Sequence, residues 1–401
     1  MKDRILIYQD YTMHNFGLAK KLQEQHNCDL FAIIDVTDNM NKFFQKQKIV
    51  KYEKTWFLYD YIKKNHKPNL DYLSKFEKKY GIELWKLANN DRIFFKYNMY
   101  YNFSETEILL ILEQELKLFE RILDEVKPDY FLTYNPVLHN QKLLLDLCRS
   151  KGIKVLNACR TGIGDQTVLV ENGETFDLDL NKNINELDTE IYNKNNNDYD
   201  KDQKIWIKGR NVTFLDKLSG FKDYLFDSDS DLIQSNFMYF GRSKFKVIKD
   251  TLWVEYKRKN NYNFLNNFSI LEPELNIPFV YFPMNITEEA SLLHYAPFFT
   301  NQLEVIRHIA KSIPIDHLLY VKEHVAAGLR FWNHIDYYKE IIELPNVKLI
   351  HPKFDNNTLI KNSKLVITLR GTSNLKAVEF GKPTITFGKQ PYQIIPSVFG
   401  V

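Results

Sequence analysis

"ITLRGTSNLKAVEFGKPTITFG", residues 367–388, holds an apolar run, a charged glycine-containing turn, a short helical segment and a second apolar run. Strand, helix and strand in that order imply a parallel strand pair with its crossover, and so an α/β sheet. Ligands of such sheets bind beyond the carboxyl ends of the strands. Arg370, Gly371, Thr372 and Ser373 follow the first run directly and occupy that position. Gly371 lets a ligand approach the backbone. Thr372 or Ser373 is expected to cap the helix, whose first N–H groups favour an anion. Arg370 adds forked donors suited to phosphate. Lys376 early in the helix and Glu379 near its end both oppose the helix dipole. A bound phosphate would relieve the first, and sugar hydroxyls could use the second. The plain structural reading is a solvated helix closed by Gly381, with Pro383 opening the next strand.

The same form recurs along the chain. In "YVKEHVAAGLR", residues 320–330, alternation sends Lys322 and His324 to one face of a strand and Glu323 to the other, and Arg330 follows. His324 could donate to a phosphate or act as an acid, or simply be a histidine bonded at a strand end. His351-Pro352 is a third strand end, which Pro352 terminates on the plain reading. In "FPMNITEEASLLHY", residues 282–295, Pro283 and Asn285 leave a strand, and Glu288 or Glu289 could serve as a base or bind hydroxyls. Acidic decoration near a helix start is the bland alternative. After the first strand, "YQDYTMHNFG" offers Asp10 or His14 as a base for an acceptor hydroxyl. "CRTGIGDQTVLVENG", residues 159–173, is glycine-rich but has neither GxGxxG nor the Walker pattern.

Strand-like runs at 4–8, 29–35 and 129–134 alternate with helical patterns at 16–26, 104–126 and 140–151. Ser104 and Glu107 form a capping-box pattern. A second alternation begins at 278–285 and continues through strands at 317–324 and 347–352, with helices at 301–313, 335–344 and 355–362. Asp355 is a helix N-cap candidate. Between the two series, residues 177–203 are polar and Asn-rich, and 205–275 read as aromatic, basic bridging helices. The expected division is 1–178, an insertion at 179–270, and 271–401.

The chain has 401 residues, 44% of them hydrophobic and 14% aromatic, which suits two or three domains with packed cores. A net charge of only +3 argues against a general nucleic-acid binder. Cys28, Cys148 and Cys159 have no metal-ligand spacing and suit a reducing compartment. The apolar run at the N-terminus is too short for a signal peptide or a membrane span, so the expectation is a soluble cytoplasmic protein. No Asp-x-Asp motif ends a strand, which leaves metal dependence open; no cofactor is expected beyond the nucleotide sugar as substrate.

Six segments in order resemble the capsular polysaccharide biosynthesis family, which includes Kdo transferases. They are "YFPMNITEEAS", "NQLEVIRHIAKSIP", "LYVKEH" with "GLR", "LPNVKLIHP", "NTLIKNSKLVITLRGT" and "GKPTITFG" with Tyr392. The resemblance implies two Rossmann-like domains facing a cleft, the GT-B type, with the helical and polar insertion between them. It implies a nucleotide sugar on the second domain and an acceptor on the first. Three departures stand out. Val325 replaces the family's proline after Lys-Glu-His. Lys376 replaces an acid that in related enzymes binds the donor ribose, a part Glu379 could take. The sequence ends at Val401, before the closing helices such enzymes usually add, which reads as a truncated product or as their absence.

The reading is a glycosyltransferase building a surface polysaccharide from a nucleotide-sugar donor and a glycan or glycolipid acceptor. Lys322, His324, Arg330, Arg370, Gly371, Thr372, Ser373 and Glu379 would hold the donor. Asp10, His14 or Glu289 would supply acid–base chemistry. A non-catalytic scaffold of the same fold and a nucleotide-sugar epimerase are the alternatives. A peripheral contact with the inner membrane face through the basic stretch 244–259 is a further expectation, against the plainer reading of a solvated basic helix.

Overall fold

The run "DRILIYQ" is apolar on both alternating faces, as a strand covered by helices on both sides must be. It forms β1, Asp3–Gln9, the centre of a six-stranded sheet. The computed structural model describes residues 2–63, 67–95, 100–160, 167–171, 236–324, 327, 333–390, 393 and 395–401. The chain divides into two compact units, Met1–Lys244 and Phe245–Val401.

In the first unit β2 is Cys28–Ile34, β3 Lys54–Phe57, β4 Tyr130–Tyr134, β5 Lys154–Arg160 and β6 Thr167–Val170. Their order is β3-β2-β1-β4-β5-β6, all parallel but for β6, which runs against β5. The expected helices appear as His14–Gln25, Glu105–Val126 and His139–Ser150. Ser104 and Glu107 form the expected reciprocal cap. The order reverses between β1 and β4, which places a crevice at their carboxyl ends.

The second unit has β7 Phe279–Pro283, β8 Leu318–Lys322, β9 Val347–Ile350, β10 Leu365–Thr368, β11 Thr384–Thr386 and β12 Val398–Gly400. The order is β12-β11-β10-β7-β8-β9, and every pairing is parallel. Here the reversal lies between β7 and β10. Asp355 caps Asn356–Asn362 by accepting from Thr358 N at 2.6 Å, as expected. Gly381 has φ +64°, and Lys382 N reaches back to Ala377 O at 2.8 Å, so the expected glycine closure is present.

The polar stretch 177–203 lies outside the described residues. Of the expected bridging stretch, Phe237 and Phe240 join the first unit's core. The helix Lys244–Phe268 places Leu265 in the second unit's core.

One ionic cluster lies inside the first unit. The His139 ring meets Asp91 at 2.8 Å through Nδ1 and Glu115 at 3.1 Å through Nε2, all three fully enclosed. Burial alone lowers an imidazolium's pKa, but Glu115 and Asp91 outweigh it and hold His139 up at about 10. Burial likewise opposes Asp91 ionisation, and His139 with two backbone N–H donors overcomes it. A folded pKa raised above the unfolded value gives stability that is complete below about pH 6.5 and lost as pH rises through about 10. Unfolding of the first unit followed by urea titration should weaken by about 1.4 kcal/mol per pH unit between pH 7 and pH 9. His139→Gln should be less stable by roughly 3–5 kcal/mol at pH 7 and should flatten that slope.

Candidate functional site

In the second unit the turns after β10, β7 and β8 emerge side by side at one edge of the sheet. Arg370 and His324 leave strands on either side of β7, about 10 Å apart at the usual strand spacing. The Arg370 guanidinium lies 3.4 Å from the centre of the Tyr295 ring. That cation–π contact holds the guanidinium against the ring.

Gly371 stands at the reversal point. Its N–H donates to Thr368 Oγ1 at 3.0 Å. A side chain there would meet Thr368 Oγ1 at 2.8 Å and Asn285 Nδ2 at 3.7 Å, so the turn after β10 is packed against the turn after β7. Thr372 already has helical angles, φ −64° and ψ −9°, and makes no cap hydrogen bond. The expected cap from Thr372 or Ser373 therefore does not form; Ser373 is the first residue of the helix Ser373–Glu379. That helix has only seven residues, so Lys376 falls in its last turn, where a cation is favoured. Lys376 Nζ binds Glu379 Oε2 at 2.9 Å, with both side chains largely enclosed.

Lys322 and Glu323 part to opposite faces. Lys322 Nζ is buried and donates to Asn356 Oδ1 at 2.6 Å, which also accepts from Tyr281 at 2.8 Å. Burial lowers its pKa to about 8, against the pull of Asp355. Glu323 accepts from the Tyr338 hydroxyl at 2.6 Å, Asn333 Nδ2 at 3.0 Å and His324 N at 2.8 Å. Its carboxylate is therefore a structural anchor, and burial raises its pKa. His324 is open to solvent on one side but crowded on the other. Crowding, then the Lys322 charge, lowers its pKa to about 4, so the ring is neutral at pH 7. His351 is buried, with Nδ1 accepting from Lys353 N at 3.2 Å and Nε2 3.1 Å from Asn266 Oδ1, which fits the plain structural reading. Glu289 is exposed and accepts from Ser291 Oγ at 3.3 Å. Arg330, Val325 and Tyr392 lie outside the described residues.

Sequence reasoning missed the clamps. Gln302 accepts from Asn285 N at 2.8 Å and donates to Asn285 O at 2.7 Å, pinning the turn after β7. Asn285 Oδ1 is buried with no hydrogen-bond partner among the described residues. Thr386 Oγ1 donates to Leu369 O at 3.0 Å and pins the turn after β10.

In the first unit a cavity of about 350 Å³ opens at the β1/β4 reversal. Asp10, Asp35, Tyr59, Arg92, Tyr134 and Gln141 are among its lining residues. Asp10 is nearly buried, and its Oδ1 accepts from Thr12 N at 2.9 Å and Thr12 Oγ1 at 2.5 Å. Asp35 accepts from Tyr8 at 2.7 Å and Tyr59 at 2.5 Å, and burial raises its pKa despite those bonds. His14 is exposed and stacks flat on Tyr134 with centroids 4.3 Å apart. Met13 and Asn135 flank the crevice with φ of 61° and 35°. Such left-handed angles are uncommon for residues other than glycine.

Residues 261–396 match the family model for capsule polysaccharide biosynthesis proteins. The matched residues lie within the second unit. No curated protein matches the chain. Among solved structures, the β-Kdo 2,7-transferase of Thermosulfurimonas dismutans KpsC is 12% identical, with 80% of this chain and 82% of that one covered and a TM-score of 0.34. The β-Kdo 2,4-transferase of the same protein is 12% identical with a TM-score of 0.27; the alignment covers 37% of this chain and about half, 48%, of that one. The UDP-GlcNAc 2-epimerase of Methanocaldococcus jannaschii is 14% identical, with 100% and 89% covered and a TM-score of 0.25. None of these likenesses is close enough to transfer an activity.

The packing ranks two glycine substitutions. A methyl on Gly388 would meet Ala296 Cβ at 2.8 Å and the Leu369 carbonyl at 2.9 Å, whereas one on Gly371 meets a hydroxyl that can turn. Gly388→Ala should cost about 1–3 kcal/mol and more than Gly371→Ala, as read by thermal denaturation of the two variants.

Proposed function

We propose that the chain is a glycosyltransferase that moves a sugar from a nucleotide-sugar donor onto a growing surface polysaccharide. The observation that carries this reading is the placement of Arg370 and the Lys322–His324 turn on either side of β7, at the open edge of the sheet and within the family-matched segment.

In this reading Arg370 takes the donor's phosphates, with Thr372, Ser373 and Arg330 completing the cradle and Gly371 keeping the turn tight. Lys322 supplies positive charge from beneath. His324 is neutral at pH 7 and supplies an N–H rather than a charge. Glu379, held by Lys376, is the acid available to sugar hydroxyls. Asp10 is the stronger candidate for the base, because it lines a cavity while His14 stacks outside it and Glu289 is solvated. Its carboxylate takes the acceptor hydroxyl's proton as that oxygen attacks the anomeric carbon. The nucleotide phosphate leaves with the bonding electron pair. The donor is drawn from the cytoplasm, and the acceptor is a glycan or glycolipid.

Calorimetric titration with CMP-, UDP- and GDP-linked sugars should find one that binds, and Arg370→Glu should abolish the heat. An anion favours the charged form of Lys322, so affinity should hold below about pH 8 and fall by up to about tenfold per unit above it. Lys322→Met should remove that dependence. A folded chain that binds no nucleotide or nucleotide sugar would end the proposal. Turnover of the donor without acceptor would instead favour an epimerase.

Asp10→Asn should lower the transfer rate by roughly 10²–10⁴-fold while leaving donor affinity unchanged, since the donor residues lie in the other unit. An undiminished rate in a product assay would remove Asp10 from the chemistry.

A further inference from the structure

The helix Lys244–Phe268 has two faces with opposite fates. At about 100° per residue, Val247, Val254, Asn261 and Leu265 share one side. Asn261 and Leu265 are buried there, and Asn261 Nδ2 donates to Asn333 O at 2.7 Å, which ties the helix to the second unit. The opposite side carries Phe245, Leu252 and Tyr256 within an arc of about 40°, with Trp253 beside them. These four are 75%, 67%, 65% and 54% exposed. Trp253 and Tyr256 touch, ring centroids 6.2 Å apart.

Lysines border the stripe. Lys249 and Lys259 are exposed and lie within about 40° of its centre, and Lys257 lies beyond Trp253. Of the acids, Glu255 lies about 80° from the stripe's centre on the side of Lys259 and binds Arg258 at 2.6 Å, and Asp250 lies toward the far side. No described helix is long and apolar enough to cross a membrane, so a contact here is peripheral.

We propose that this face seats the protein on an anionic lipid bilayer. Tryptophan and tyrosine rings settle at the headgroup level, leucine and phenylalanine reach the acyl boundary, and the flanking lysines meet lipid phosphates. The charge pattern selects this occupant. A second copy packed face to face would set lysine against lysine, and the nearest acid, Glu255, is already bound to Arg258. The inference is independent of the proposed reaction, because it uses none of the residues assigned there.

Sedimentation of the full chain with vesicles tests it. The protein should bind vesicles of phosphatidylcholine with phosphatidylglycerol added, and not phosphatidylcholine alone, and salt should release it. Each of Lys249→Gln, Lys257→Gln and Lys259→Gln should weaken partition about fivefold. The double variant Leu252→Ser with Trp253→Ser should weaken it by about tenfold or more. These residues are largely exposed, so the thermal transition should not move. The proposal is overturned by absent binding, by equal binding to neutral and anionic vesicles, or by variants that sediment like the parent. A concentration-dependent dimer dissolved by Leu252→Ser with Trp253→Ser would also overturn it.

Discussion

β7 has β8 on one side and β10 on the other, and the chain must leave the sheet in opposite directions to make both neighbours. Right-handed crossovers then cover opposite faces, which leaves a crevice above the carboxyl ends of β7 and β10. Everything proposed for the second unit depends on that opening. Its rim is built without a ligand: Gln302 holds the turn after β7, and Thr368 and Thr386 hold the turn after β10. Buried amide and hydroxyl groups are costly unless paired, so these bonds make the turns definite. The unpartnered Asn285 Oδ1 is the exception, and it lies where the two turns meet.

The buried charges divide the labour. Lys322 and Glu323 are adjacent in sequence but face away from each other, so they do not neutralise one another. Glu323 has three donors of its own and is fully committed to the scaffold. Lys322 has an amide oxygen as its hydrogen-bond partner and its pKa is depressed, which leaves its charge under-compensated. A group in that condition gains most from an arriving anion. In the first unit, Asp91, His139 and Glu115 pair with one another in the core, whereas Asp10 lines a cavity.

Strand and helix periodicity made both sheets legible, because parallel strands read as unbroken apolar runs. The Ser104 and Asp355 caps and the Gly381 closure were equally plain, since each depends on local chemistry. β3 and β12 were not read, because "KTWF" and "VFG" are too short to show a period. The cap expected at Thr372 does not form because Thr372 already has helical angles where an N-cap is extended. Asp35 and Arg92 were missed as cavity residues because nothing local marks them. The partners of Asp35 are 24 or more residues away, and the other residues lining the cavity with Arg92 come from distant loops.

The lysine at 376 stands where family resemblance places an acid, which invites the conclusion that the chemistry has been lost. The helix geometry argues otherwise. Lys376 and Glu379 are one turn apart and joined at 2.9 Å, so the acid remains on the same helix and is held in place. An anion in a helix's last turn is mildly unfavourable, and the neighbouring ammonium offsets that. The pair is partly enclosed, so solvent screens it less than a surface pair. In the proposed reading Lys376 is a positioning cation, and the hydroxyl-binding role falls to Glu379, one turn along the same helix.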